Sequence, residues 1–133
     1  RVVAGSGSCE IELSKELTSY AQQHSGKEQL AINAFAQAME IIPKTLSENA
    51  GLDPVDIIAE LKAEHDKGKK WSGIDVFTGH VFDAFKKGIV EPLPVKTQAV
   101  ASASDVAMMI LRIDDIIIAS PGQESRQNQG YEE

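Results

Sequence analysis

Aromatic side chains are scarce in this chain, 5% of 133 residues with a single tryptophan, so a core must be built from Leu, Ile, Val, Ala and Met. The lone cysteine, Cys9, excludes an internal disulfide and makes a reducing compartment the simpler expectation. Basic residues are outnumbered 13 to 20, giving a formal net charge of −7. That balance argues against nucleic-acid or acidic-membrane partners, which need a basic face. No apolar run reaches the roughly 18 residues of a membrane span, and no basic-then-apolar leader opens the chain. The start at Arg1-Val2-Val3, without Met, is what a fragment or processed piece of a longer protein would show. The three histidines, His24, His65 and His80, are scattered without the paired spacing of a zinc site, so no metal site is expected.

What is present is helical periodicity. Leu13, Leu17, Tyr20, Ala21 and His24 recur at helical spacing behind Ser8, a candidate N-cap, and Ser25-Gly26 closes that helix. A second helix runs from Lys27 to Ile42. It is apolar around most of its circumference, as expected of a helix central to a core. Pro43 should break or kink it, with a shorter piece continuing from Lys44 to Asn49. Asp53-Pro54 is a strong helix start, and Val55, Ile58, Leu61 and His65 mark the expected buried stripe. Glycines then flank a β-prone run, Trp71 to Val81, that reads as a small hairpin or extended loop. A short helix from Phe82 to Lys87 follows. Residues 89–94 should be extended, because Pro92 and Pro94 disfavour helix there. A last helix spans Val95 to Leu111, and its small face (Ala99, Ala103, Val106, Ala107, Ile110) suggests close packing on another helix. Residues 113–118 read as a lone strand in need of a partner, and the polar tail from Ser120 as disordered. The fold class is therefore mainly α, with one small β-hairpin and a C-terminal strand.

Chemistry candidates are few. Gly5-Ser6-Gly7 leads into a helix N-terminus, which can present backbone N–H groups to an anion or serve as a plain connecting turn. It matches neither the Walker loop nor the dinucleotide fingerprint. Cys9 at a helix start is a thiol nucleophile or a small filler residue. Asp75 and Glu91 are acids in irregular segments, able to accept from a ribose hydroxyl or simply to hold a turn. Asp114 and Asp115 fall within the apolar strand, where one would face solvent and the other guard an edge.

Several longer stretches resemble one family. The runs Gly26-Lys27-Glu28-Gln29-Leu30-Ala31-Ile32 and Ile41-Ile42-Pro43-Lys44-Thr45-Leu46-Ser47-Glu48-Asn49-Ala50-Gly51-Leu52-Asp53-Pro54 look like the group II chaperonins, and the archaeal thermosome is the nearer branch. So do Gly88-Ile89-Val90-Glu91-Pro92-Leu93-Pro94-Val95-Lys96-Thr97-Gln98-Ala99 and Met109-Ile110-Leu111-Arg112-Ile113-Asp114-Asp115. The resemblance covers residues 2–119 and is to the C-terminal half of the equatorial, ATP-binding domain, leaving 120–133 as a tail.

That resemblance implies part of an ATP-dependent protein-folding machine, cytoplasmic, assembled with other subunits into a double ring and acting on unfolded client proteins. It implies ATP or ADP as ligand. The family's phosphate loop, its Mg2+ and the aspartate that orients the attacking water lie in the other half, so no catalytic residue is expected here and this chain alone should have negligible ATPase activity. The nucleotide-side residues it implies are Gly5, Ser6 and Gly7 as a counterpart of the family's triple-glycine loop, Asp75 and Val76 on the adenine side, and Glu91 near the ribose. Ser6 departs from the family's glycine and would be strained if that position needs a positive φ. The alternative is a non-catalytic helical oligomerisation module that no longer binds nucleotide. The resemblance also implies that faces normally packed on the other half are exposed in this chain, which favours association.

Overall fold

A computed structural model describes residues 1–113. The expected strand beyond Ile113 and the polar tail lie outside those residues. Arg1–Ala99 form one unit, and residues 100–113 belong to a second. In chain order the elements are β1 (Val2–Ala4), α1 (Ser8–Ala21), α2 (Gly26–Asn49), α3 (Pro54–Asp66), β2 (Ser72–Asp75), β3 (His80–Asp83), β4 (Val90–Pro92) and α4 (Leu93–Leu111).

In the first unit α1 packs along α2, and α3 closes over both. The buried core is Ile11 of α1, Ile57 and Leu61 of α3, and Ile74 of β2, ringed by Leu46, Leu52, Ile58, Val76 and Val81. Asp53 caps α3 as the sequence suggests: its carboxylate accepts from the Val55 amide at 2.8 Å, with Pro54 in the first turn. The α3 stripe, however, is rotated from the expected one. Ile57, Leu61 and His65 are buried, whereas Val55 is 73% exposed. Both phases of a helix carrying Val55, Ile57 and Ile58 satisfy apolar periodicity, and packing on α1 and β2 selects one.

The face of α1 differs too. Leu13 and Tyr20 are exposed, and the buried side is Ser8, Glu10, Ile11, Ser14 and Ala21. Its polar members are held by partners from distant elements. Ser8 Oγ donates to the Lys70 carbonyl at 2.9 Å, and Ser14 Oγ donates to Glu40 of α2 at 2.6 Å. Ser8 is thus not the N-cap; Gly7 occupies that position. Ser25, expected to end this helix, is instead the N-cap of α2.

Two small antiparallel sheets complete the unit. β1 pairs with β4, setting Val3 opposite Glu91, and β2 pairs with β3, setting Gly73 opposite Phe82 and Ile74 opposite Val81. The hairpin therefore extends through Asp83, and the short helix expected from Phe82 to Lys87 is absent. Asp83 instead accepts from the Lys86 amide at 2.9 Å and folds a turn. Pro43 neither breaks α2 nor ends it, since the helix runs unbroken from Gly26 to Asn49. Nor is α2 enclosed: Leu30, Ile41 and Ile42 stay exposed. α4 begins at Leu93, two residues early, because Pro94 sits in the first turn, where no intrahelical donor is needed. No residue of α4 is buried among the described residues, and the Ala99, Ala103, Val106, Ala107 and Ile110 face is exposed there. In the second unit the helix continues to Leu111, with Ser104 Oγ donating to the Val100 carbonyl at 2.7 Å.

The rotated stripe of α3 gives a direct test. Leu61→Ala should lower unfolding stability by about 2–5 kcal/mol through lost burial and a cavity, while Val55→Ala should stay within about 0.5 kcal/mol. Paired urea titrations decide it, and equal losses would return Val55 to the core.

Candidate functional site

The loop of residues 5–7 turns sharply between β1 and α1. Ser6 has φ 55° and Gly7 φ 77°. Ser6 is the one non-glycine residue with positive φ among the described residues, a strain of about 1–2 kcal/mol. The strain anticipated from sequence is present, and the loop is clamped from three sides. The Gly5 amide donates to the Ile89 carbonyl at 3.0 Å, and the Ser6 carbonyl accepts from the Ile74 amide at 2.9 Å. On the third side, a Cβ placed on Gly7 would lie 2.7 Å from the Cβ of Pro43. Gly73 is equally crowded, since a Cβ there would lie 2.8 Å from that of Ser6. Both glycines are required by close approach.

Asp75 ends β2 and organises the turn after it. Its Oδ1 accepts from the amides of Phe77 (3.0 Å) and Thr78 (3.3 Å), and its Oδ2 pairs with Lys87 at 3.2 Å. The Phe77 amide, followed by Lys87 and Thr78, outweighs desolvation and holds the carboxyl at about 2, below its ordinary 3.8. The side chain of Asp75 thus serves the turn. Phe77, at the tip of that turn, is 95% exposed.

Glu91 lies on β4. Its Oε2 is 2.8 Å from Lys96 Nζ, and Lys96 also pairs with buried Glu10 of α1. A Cβ on Gly5 would stand 3.1 Å from Glu91 Oε1, so the carboxylate lies directly against the loop.

These segments surround one open cleft of ≈ 740 Å³. Ser6, Gly7, Asp75, Val76 and Glu91 all line it, and Gly5 sits behind Glu91. Residues far apart in sequence are thereby brought to one place. Sequence reasoning missed Thr45, Asn49, Lys87 and Lys96, which also line the cleft. A signal existed for the first two: Thr45 and Asn49 are four apart on a helix, directly beside the apolar Ile41 and Ile42. The remaining wall is largely apolar, including Ile74, Phe77, Phe82 and Ile89. An apolar wall with a few placed polar groups is the kind of lining small-molecule sites have.

The other candidates fall elsewhere. Cys9 is half-buried, and its thiol is pushed up mainly by burial and then by Glu10, the wrong direction for a nucleophile. His65 is fully buried, with Nδ1 2.7 Å from Glu12 and Nε2 2.9 Å from the Ser72 carbonyl, a tie between α1, α3 and β2. Among the described residues no group of three or more His, Cys, Asp or Glu could hold a metal ion.

The model of the TCP-1/cpn60 chaperonin family matches residues 1–121, and the chain belongs to that family. It is 57% identical to thermosome subunit beta of Archaeoglobus fulgidus over 99% of this chain and 24% of that one. It is 55% identical to a thermosome subunit of Methanopyrus kandleri over 90% of this chain and 22% of that one. Among solved structures it resembles the open-state monomer of a group II chaperonin from Methanococcoides burtonii. There the TM-score is 0.82 at 52% identity, covering 84% of this chain and 28% of the other. The chain spans about a quarter of the length of the curated relatives it matches.

The Asp75 turn predicts a pH response. A carboxyl held at about 2 in the fold, against 3.8 ordinarily, stabilises the fold fully above pH 3.8 and loses that contribution as pH falls toward 2. Asp75→Asn should flatten this part of the acid-unfolding curve followed by circular dichroism. Some slope should remain, since Glu64, lowered to about 2 by hydrogen bonds from Lys67 and Lys69, and Asp83, lowered chiefly by the Lys86 amide, act in the same direction. An unchanged curve in Asp75→Asn would remove Asp75 from the account.

Proposed function

We propose that this chain is the C-terminal equatorial part of a cytoplasmic, ATP-driven chaperonin subunit, and that the cleft is the base-and-ribose side of its nucleotide site. In this reading Gly5, Ser6 and Gly7 form the wall against the sugar, the turn at Asp75 and Val76 flanks the adenine, and Glu91 accepts from the ribose hydroxyls. The phosphates, Mg2+ and the group that orients the attacking water belong to other parts of the subunit, so this chain contributes binding and not the chemical step. Subunits carrying it would assemble in a double ring and enclose unfolded clients through other domains. The observation that carries the reading is convergence: four separate segments, 5–7, 41–49, 74–77 and 89–96, meet on one largely apolar cleft with an oriented carboxylate. No membrane is implied, and no helix among the described residues is long and apolar enough to cross one.

The competing module without nucleotide function drew on Ser6. Its left-handed backbone is the one a glycine would adopt there, so the departure leaves the loop in shape.

The test is equilibrium ADP binding by subunits that carry this segment. Glu91→Ala should weaken ADP about tenfold, the value of one hydrogen bond to a charged group. Gly7→Trp is a blunter probe, because any Cβ at Gly7 strikes Pro43; it should abolish binding together with the loop. ADP affinity unchanged by Glu91→Ala would favour the module reading.

A further inference from the structure

We propose that Lys96 is a positioning residue that holds the Glu91 carboxylate in a fixed direction, so that the cleft selects ligands bearing free sugar hydroxyls; this rests on reading the cleft as a nucleotide site. Lys96 stands near the start of α4 with its side chain 17% exposed, between two carboxylates. Glu10 approaches from α1 and Glu91 from β4. Cys9 is the other titratable group that senses it.

Glu10 is 3% exposed, and its Oε2 has no hydrogen-bond partner among the described residues. A buried carboxylate in that state is tolerable only beside a cation. Glu10 therefore holds the ammonium in place from behind, and the ammonium holds Glu91 from the side. Burial works against the charge on Lys96, but the bonds from Glu10 and Glu91 prevail and raise its pKa. Glu91 Oε2 is occupied by Lys96, and Oε1 lies at the loop beside Gly5. A carboxylate so held accepts and cannot donate, so its ligand partner must carry O–H or N–H. Without Lys96, Glu91 would lose the partner that fixes the direction of its carboxylate.

The experiment compares ADP with 2′,3′-dideoxy-ADP on rings assembled from subunits that carry this segment. Wild type should prefer ADP by about tenfold. Lys96→Met should bring the ratio close to one, and Lys96→Arg should keep most of it. Equal weakening of both nucleotides by Lys96→Met, with the ratio intact, would mark a merely structural role and overturn the proposal. If Lys96→Met rings do not assemble, Lys96→Gln replaces it, and a retained ratio there overturns the proposal equally. The two levels separate through Glu91→Ala. A ratio lost in Glu91→Ala but kept in Lys96→Met rejects the role of Lys96 alone. A ratio kept in Glu91→Ala rejects Glu91 as the sugar contact and the proposal with it.

Discussion

Pro43 and Gly7 meet without room for a single additional carbon, and the cleft takes its shape from that contact. A proline inside a helix withholds one backbone donor and crowds the preceding turn. Here its ring is buried and turned to use as the floor beneath the loop, while Ser47 Oγ donates to the Pro43 carbonyl at 2.9 Å. Beside Gly7 on that floor, Ser6 holds a left-handed conformation, and its carbonyl accepts from the Ile74 amide. That bond fixes β2, whose last residue, Asp75, folds the turn forming another wall. One close approach therefore sets the relation between α2, the loop and the hairpin.

A second organising feature is polar. The inner face of α1 carries Ser8, Glu10 and Ser14, each bound to a different element: the Lys70 carbonyl, Lys96 and Glu40. Such contacts add little net stability when formed but are costly to leave unmade. They act as addresses that admit one register of α1 against its surroundings. Glu40 repeats the pattern by bonding Ser14 of α1 and pairing with Lys62 of α3 at 2.7 Å.

These two features explain what the sequence could disclose. Helix starts written in local chemistry were legible, as Asp53-Pro54 shows, and so was the hairpin between flanking glycines. The buried face of α1 was not, because periodicity weighs Leu13 and Tyr20 above Ser8 and Ser14, whose partners lie 62 and 26 residues away. The strand β1 was hidden for the same reason: it is three residues long and pairs across most of the chain with β4, whose extended backbone was expected within residues 89–94. Phe82 suited a helix locally but is claimed by its position opposite Gly73. At the cleft, the loop of residues 5–7, Asp75 and Glu91 were legible as polar or anion-facing candidates, while their nucleotide-side roles, and Val76, came only through family resemblance. Lys96 was quoted in that resemblance yet passed over, because only the fold sets it between Glu10 and Glu91.

The charge balance of the cleft bears on which end of a nucleotide it suits. The two lysines on its wall are already matched, Lys87 by Asp75 and Lys96 by Glu91 together with Glu10. The positive end of α1 likewise meets Glu10 in its own first turn. Among the described residues, therefore, the cleft offers no surplus positive charge to a polyphosphate. What it offers is apolar wall, a fixed carboxylate and a tightly turned backbone, which suit a base and a sugar. In the nucleotide reading proposed above, phosphate charge would be met by groups outside this segment. On that reading, nucleotide affinity would depend on two parts held together, this cleft supplying only the base and sugar side.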